Sequence, residues 1–428
     1  MTALQGAFAL ARVLVYASLL LAFSSPLHAA AQTYTLAELS ALLDADNPHI
    51  HRVRQEQKAA EAVVPQMLAF DNPEIGFIQN PMRNNPARFG SSRGFSYTLT
   101  QPLSFPGKKR LAADIAQDRA DIIGTEAEAL KQELLAELKT NFWLLLSLQR
   151  EALISQDNLA RLEQIKQISK IQYASNAAAY VDYLNAQVAQ SGAENELFSL
   201  RRRIDNAVQA LNRIVGRDAG TPLEVRGQIP ALREKIPTKD QLVDLALQNS
   251  PKIRGSALEI SAAEKGVEYA KKSYLPNFEI VVTKTSDNPP WGFGGNEYGM
   301  ELDIILPTWG FTKERASVDQ ARASLIASRA NEQVVRQQLL LDLATHHNLL
   351  LQAREQIRFL RARQLEQAQV AWRLARQNYS TNNGGRGFTE LLLAQTNLRS
   401  TELSLLQAEA SAAHAWSGIE SIVGTTIE

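Results

Sequence analysis

The chain has 428 residues, with 45 basic and 45 acidic side chains and no cysteine. The zero net charge argues against a nucleic-acid partner, because such binding depends on basic residues that neutralise phosphates. The lack of cysteine excludes disulfides, thiolate metal sites, cysteine nucleophiles and a lipid anchor on an N-terminal cysteine. The sequence shows no Gly-rich phosphate loop, nucleophile elbow or evident acid/base pair. We therefore predict no enzyme activity and no cofactor.

Residues 1–31 have the pattern of a secretory signal peptide. Arg12 precedes a short apolar stretch over 13–23, and a run of small residues follows at 29–31. We expect cleavage after Ala31, so that the mature protein leaves the cytoplasm. The apolar stretch is too short to span a bilayer. A permanent N-terminal anchor is the alternative interpretation.

Two long windows of the chain contain no proline, which would break the interior of a helix. They run from Gly107 to Thr221 and from Thr308 to Glu428, and both are rich in strong helix formers. Apolar residues recur in them at steps of three and four, which predicts long amphipathic helices packed as coiled coils. The first helix, from about Gly107 to Gln172, would be roughly 100 Å long. A helix of this length requires an elongated molecule.

Each window contains one predicted reversal of the chain, at residues 173–187 and at residues 379–395. The second has a clear turn signal in the Asn-Asn-Gly-Gly run at 382–385. The first has only a weak turn signal at Ser175 and Asn176, because the three alanines that follow are compatible with a continuous helix. We infer the first reversal mainly from an internal repeat.

Strands are predicted just before each window. Residues 95–103 and 298–306 alternate apolar and polar side chains, and shorter partners lie upstream at Glu74–Asn80 and Phe278–Lys284. This period of two predicts a sheet that is apolar on one face and polar on the other. Taken alone, the strands fit a soluble hairpin packed on a helix better than a membrane structure.

The chain is internally duplicated. The stretch NPHIHRVRQEQKAAE at 47–61 is nearly repeated as SPKIRGSALEISAAE at 250–264, at an offset of 203 residues. Each half runs helix, strand, long loop, strand, long helix, turn and long helix, so prolines, strands and glycines align together. We therefore predict two tandem structural repeats, at residues 32–237 and 238–428.

Four strands are too few to close a membrane barrel, because the smallest such barrels need about eight. An open sheet edge is not tolerated in hydrocarbon. If the strands are embedded in a membrane, several copies of the chain must pool them, and closed rotational symmetry is the usual way to do so. The long helices would then pack around the same axis and form a tube.

The order of these features resembles the TolC-like outer membrane efflux proteins. The resemblance covers essentially the whole mature chain. It is carried by the NPHI and SPKI openings, the NPEIGF and LPNFEI strand entries, the LSFPGKKR and LPTWGFTKER junctions, and the Y…LNAQ and Y…LLLAQ tips. It implies a mainly α fold with a small β part and two tandem repeats. A homotrimer would pool twelve strands in an outer-membrane β-barrel, continuous with a long α-helical barrel that extends into the periplasm of a Gram-negative bacterium.

The resemblance also implies partners. Members of the family are passive exit ducts, which dock through a periplasmic adaptor (a membrane fusion protein) onto an inner-membrane pump. The FPGKKR junction is most similar to members serving heavy-metal and other cation pumps of the resistance-nodulation-division (RND) class. We thus expect outer membrane lipid, the adaptor and an RND transporter as partners, and no nucleic acid. Two alternatives stay open: a duct for type I protein secretion, and a soluble periplasmic coiled-coil scaffold.

The family closes its pore at the periplasmic hairpin tips, and the resemblance places this gate on four residues. They are Asp182 in the first hairpin and Tyr379, Arg386 and Glu390 in the second. The hypothesis is that Asp182 accepts hydrogen bonds from Tyr379 and Arg386, while three copies of Glu390 form a cation-favouring ring. Leu393 stands where the family often has a second acid. Ordinary solvated charges at a helical turn are the alternative.

The same tips are the expected docking point for the helical hairpin of the adaptor, since small residues let a partner backbone approach closely. These residues are Ala177, Ala178, Ala179, Gly384 and Gly385. Plain turn chemistry explains the same residues without any partner.

Among the strands, the polar phase of the alternation predicts an acidic barrel lumen, lined by Glu74, Glu279, Glu301 and Asp303. An acidic lumen suits cation passage, although a polar lumen is expected in any such barrel.

The histidines do not form a recognisable metal motif. His49 and His51 are two residues apart, and His346 and His347 are adjacent. Neither spacing gives the i, i+4 geometry that places two ligands on one face of a helix. We therefore predict structural roles for the histidines and no metal site.

Overall fold

The computed structural model describes residues 32–80, 94–231, 235–286, 296–381 and 387–425. The predicted signal peptide lies outside the described residues, and so do Gly384, Gly385 and Arg386. Within these ranges the chain is mostly helical, as the sequence predicts. None of the described helices is long and apolar enough to cross a lipid bilayer.

The first half of the chain begins with a short strand and three short helices, continues with a strand pair, and ends in two long helices. The elements are β1 (Gln32–Tyr34), α1 (Leu36–Asp46), α2 (Pro48–Glu61), α3 (Val63–Leu68), β2 (Glu74–Asn80), β3 (Gly94–Leu103), α4 (Lys108–Ala174), α5 (Tyr180–Ile214) and β4 (Leu223–Val225).

The second half repeats the order of short helices, a strand pair and two long helical arms. Its elements are α6 (Lys239–Asn249), α7 (Pro251–Lys271), β5 (Asn277–Ser286), β6 (Asn296–Ile305), α8 (Arg315–Phe359), α9 (Leu365–Thr381) and α10 (Gly387–Val423). A five-residue π-helical segment, Leu360–Gln364, joins α8 to α9, so one helical arm continues from Arg315 to Thr381. The two-repeat organisation predicted from the sequence is thus confirmed.

Matching helix caps show the repeat at atomic detail. Thr35 and Thr238 each form a capping box, with Glu38 and Gln241 respectively as the third helical residue. In such a box the two side chains satisfy backbone N–H groups that a helix start leaves unpaired. The next helix of each half then begins with a proline, where the missing N–H costs nothing. The same local chemistry therefore starts both halves.

Helix α4 confirms the longest sequence prediction. It runs for 67 residues and begins directly after Gly107, whose φ of 85° is a conformation that glycine adopts without strain. At 1.5 Å per residue it is about 100 Å long. It packs along its length against α5, α7 and α10, which explains why a single helix of this length stays ordered.

The two strand pairs join into one antiparallel sheet with the order β2-β3-β5-β6. The central pairing, β3 with β5, links the two halves of the chain, with Leu99 opposite Val282. At the base of the sheet, Lys108 Nζ donates to the side-chain oxygen of Asn277 at 3.2 Å, which ties α4 to β5. The sheet therefore lies at the end of the molecule where α4 and α8 begin.

Three apolar clusters hold the helices together. One surrounds Phe142 and Leu138 of α4 and includes α1, α5 and the parallel strand pair β1–β4. The second surrounds Leu343 and Leu350 of α8 and includes α6 and α10. The third lies where α4, α5, α9 and α10 approach the two hairpin tips. The tips are therefore packed to each other and are not isolated ends.

Candidate functional site

The sheet has one polar and one apolar face. Residues directly opposite each other in neighbouring strands share a face, and side chains alternate along each strand. The register pairs Glu74 with Thr100, Thr100 with Val281 and Val281 with Glu301, while Glu279 pairs with Asp303. All four acids predicted for the lumen therefore lie on the same face of the sheet.

The opposite face is apolar and open to its surroundings. Ile75, Tyr298, Met300 and Leu302 are exposed by 83%, 72%, 83% and 61%. A soluble protein rarely leaves so large a contiguous apolar surface uncovered. In the described residues, β2 and β6 each have a hydrogen-bonded neighbour on one side only. The sheet thus presents both an uncovered apolar face and two free edges.

The first hairpin tip is a tight turn between α4 and α5. Backbone N–H groups of Ala177 and Ala178 donate to the carbonyl of Gln172 at 2.8 and 3.2 Å. Asn176 takes the left-handed φ of 55°, which Asn tolerates better than most residues. Helix α5 then begins after the extended Ala179. The reversal predicted for residues 173–187 is confirmed.

The second hairpin brings Tyr379 of α9 into the apolar tip cluster. Its ring lies 5.8 Å from that of Phe388 in a T-shaped arrangement, and both side chains are buried. Its hydroxyl donates to Ser169 Oγ at 3.1 Å, and Ser169 in turn donates to the carbonyl of Ile165. The predicted hydrogen bond from Tyr379 to Asp182 is therefore replaced by one to Ser169, because a phenol has a single proton to donate.

Asp182 is buried in the same cluster, with 7% of its surface exposed. Its Oδ2 atom has no hydrogen-bond partner among the described residues. Burial raises the pKa of this carboxyl group, and a backbone hydrogen bond from Ala179 lowers it by less. Burial also raises the pKa of Tyr379, as does the nearby Asp182 carboxylate, while the bond to Ser169 lowers it. The two groups are thus close enough to sense each other's charge.

Glu390, by contrast, is exposed on the first turn of α10. It lines an open groove of about 600 Å³ between α9 and α10, together with Leu393. The groove wall carries several small side chains, which are Ala368, Ala371, Ala375 and Ala394. Arg386 lies outside the described residues, so its predicted bond to Asp182 stays a prediction.

A cluster around Trp372 was not predicted from the sequence. The guanidinium groups of Arg161 and Arg376 lie 5.5 and 5.4 Å from the centre of its ring, within the range of cation–π attraction. Arg161 also contacts Glu402 of α10 at 3.4 Å. These contacts connect the first hairpin to the second. Only the pairing of helices in three dimensions reveals them, since α4 and α9 are far apart in the chain.

We expect the tip to become more stable as the pH falls through the raised pKa of Asp182. Between the ordinary pKa of 3.8 and the raised value, the folded state keeps a proton that the unfolded state has released. The free energy of unfolding therefore falls as the pH rises through this window. Hydrogen–deuterium exchange of the tip helices at several pH values, corrected for intrinsic exchange rates, measures this change in stability. Asp182→Asn should remove the pH dependence, whereas the exposed control Asp157→Asn should keep it. Equal pH dependence in both variants would contradict the assignment.

A sequence model of the outer membrane efflux protein family matches residues 39–217 and 242–425. The chain belongs to the outer membrane efflux protein family. The protein is therefore located in the outer membrane, as the sequence predicts, and the family consists of channels.

Individual relatives of this efflux protein are distant in sequence but close in fold. The cobalt-zinc-cadmium resistance protein CzcC of Cupriavidus metallidurans is 20% identical over 307 residues, which are 70% of each chain. The solved structure of the outer-membrane channel OprN has a TM-score of 0.77 at 19% identity, covering 91% of this chain and 89% of that one. The structure of CusC has a TM-score of 0.78 at 16% identity, covering 91% and 92%. The mainly α, two-repeat fold is thus confirmed.

Proposed function

We propose that three copies of this chain form the exit duct of a tripartite efflux pump. The observation that carries the proposal is the sheet with an uncovered apolar face and two free edges. Four strands cannot close on themselves, and unpaired edges are not tolerated in hydrocarbon. Three copies would pair β2 of one chain with β6 of the next and pool twelve strands. The repeats that contribute them are residues 32–237 and 238–428, after removal of residues 1–31.

The surface of α8 supports such an assembly. Apolar side chains recur on it at steps of seven and eight, close to the heptad spacing of helices that pack side by side. They are exposed in the single chain, at Ile326 (68%), Val334 (60%), Leu341 (60%) and Leu349 (41%). A neighbouring copy would cover this stripe, so that the long helices line a tunnel below the barrel.

The acidic face of the sheet favours cations as cargo. In a closed barrel with its apolar face towards lipid, Glu74, Glu279, Glu301 and Asp303 line the lumen. Three copies place twelve carboxylates there, which attract cations and repel anions. The similarity to a cobalt-zinc-cadmium resistance protein agrees with this charge. We therefore propose heavy-metal or related cation efflux, powered by an inner-membrane RND transporter.

The hairpin tips would serve as gate and docking point. Asp182, Tyr379, Arg386 and Glu390 form the gate, with the buried cluster holding the helices inward. The adaptor docks on the small residues Ala177, Ala178, Ala179, Gly384 and Gly385, and the alanine-lined groove between α9 and α10 gives its helices room. Because the duct is passive, we expect it to act without a cofactor.

Substituting Ala179 with glutamate should abolish pump-dependent resistance without reducing the amount of trimer. Ala179 is exposed at the turn, so a larger charged side chain harms no internal packing and blocks only a partner. The measurement is growth at increasing metal concentration, alongside trimer quantified in outer membranes. Ser191→Glu, at an exposed position of α5 away from the turn, is the control. Full resistance with Ala179→Glu would refute docking at this turn.

The assembly itself is tested by purifying the mature protein. We expect it to require detergent for extraction and to appear as particles with threefold symmetry. A water-soluble monomer would instead support the periplasmic scaffold. Deleting the gene distinguishes efflux from type I protein secretion. Loss of metal resistance supports efflux, whereas loss of a secreted protein supports type I secretion.

A further inference from the structure

Two histidines that are far apart in the sequence face each other in the fold. His346 of α8 and His414 of α10 have ring centres 5.9 Å apart, with an angle of 68° between the ring planes. The spacing of histidines in the sequence does not predict this pair, because spacing relates only residues on one helix. The pair lies well away from the hairpin tips and from the sheet.

The backbone is shaped to hold the His346 ring. Gly418 lies one turn after His414 on α10, and a Cβ atom placed there would come within 2.3 Å of the His346 ring. A larger residue at position 418 would therefore push His346 out of its place. The absence of a side chain at Gly418 allows the ring to lie against α10 and to meet His414.

The His346 ring has an unused ligand atom. Its Nδ1 is buried and has no hydrogen-bond partner among the described residues. Buried polar atoms are normally paired, so an unpaired one needs an explanation. A bound metal ion between the two rings would supply the missing partner.

His414 is oriented by a neighbour in the way that metal-binding histidines usually are. Its Nδ1 lies 2.9 Å from the hydroxyl of Thr140 on α4. When Nδ1–H donates to this hydroxyl, Nε2 keeps its lone pair for a ligand, which is the common arrangement around bound metals. Thr140 and His414 also line an open groove of about 540 Å³ between α4 and α10, so solutes reach His414 directly.

We propose that His346 and His414 form a binding site for a divalent transition-metal ion, such as Zn²⁺, Cu²⁺ or Ni²⁺. Two imidazoles on one zinc ion, each with a bond of about 2.0–2.1 Å, have ring centres about 5–6 Å apart. The observed separation fits this geometry. Within the described residues no group of three or more His, Asp or Glu side chains is close enough to enclose a metal. Water from the groove beside His414 would therefore complete the coordination.

The experiment is calorimetric titration of the detergent-purified mature protein with Zn²⁺. We expect one site per chain that His346→Gln or His414→Gln each weakens at least about tenfold, since even outer-shell partners of a metal are worth that much. The matched control is His347→Gln, which removes the adjacent imidazole on α8. An equal loss of Zn²⁺ affinity in the control would overturn the site. Unchanged binding in the variant that carries both His346→Gln and His414→Gln would also overturn it.

Electron paramagnetic resonance of Cu²⁺ bound to the wild-type protein gives a second test that needs no variant. Two coordinated imidazoles should give superhyperfine splitting of the Cu²⁺ signal from two nitrogen nuclei. A spectrum with oxygen ligands alone would overturn the proposal even if the variants misfold. Neither measurement involves transport or a partner protein, so a negative result leaves the proposed duct untouched.

Discussion

Replacing Leu302 with arginine is expected to abolish assembly of the channel in the outer membrane, whereas the same change at Glu301 is not. The two residues are adjacent on β6 but point to opposite faces of the sheet. Leu302 is 61% exposed on the apolar face, opposite Ile280. An arginine on the lipid side of a membrane barrel costs about 2–4 kcal/mol at the midplane. Three copies would each carry this cost.

Glu301 lies on the acidic face, opposite Val281. An arginine there would meet water in the proposed lumen, so the trimer should form in normal amounts. Its effect should appear in ion selectivity, since three carboxylates are replaced by three guanidinium groups near the lumen axis. We expect the reversal potential in planar bilayers to move towards anions under a salt gradient.

The measurement is the amount of folded trimer in purified outer membranes for each variant. Loss of trimer with Leu302→Arg alone assigns the apolar face to lipid. Equal loss with both substitutions would mean that neither face tolerates an arginine, and the sheet would then be covered by protein on both sides. Full assembly with Leu302→Arg would remove the main argument for a membrane barrel.

The parts of this fold that local chemistry determines were predictable from the sequence. Helix α4 appears within two residues of its predicted bounds, because proline is absent and the apolar period is regular. Strand β3 begins one residue before the predicted Phe95, because alternation marks a strand wherever it pairs. The resemblance between the halves located the first tip, for which the turn signal at Ser175 alone was weak.

Contacts between distant segments were not predictable. The bond from Tyr379 to Ser169 joins α9 to α4, and nothing near either residue in the sequence specifies the other. The facing pair of His346 and His414 is of the same kind. Analogy with the family placed Asp182 and Tyr379 in one neighbourhood but gave the wrong hydrogen bond between them. A side chain's partner depends on how long helices align, and single-helix spacing carries no information about that alignment.

Replacing Leu391 with alanine is expected to loosen the hairpin tips, whereas Leu393→Ala should leave them intact. Leu391 is fully buried in the tip cluster beside Phe388 and Tyr379, while Leu393 is 59% exposed on the same helix. Removing a buried leucine costs about 2–5 kcal/mol, because the transfer free energy is lost and a cavity remains. The exposed leucine loses little packing, so a change within about 0.5 kcal/mol is expected.

The readouts are hydrogen exchange at the tip and single-channel conductance in planar bilayers. If packing holds the proposed gate inward, Leu391→Ala should accelerate exchange in α9 and α10 and raise the conductance. Leu393→Ala should change neither the exchange nor the packing of the tip, although it widens the groove next to Glu390. Faster exchange with unchanged conductance would separate the two properties: the cluster would then stabilise the tip without controlling the opening. In that case the gate would depend on the polar groups, and Asp182→Ala should change conductance where Leu391→Ala does not.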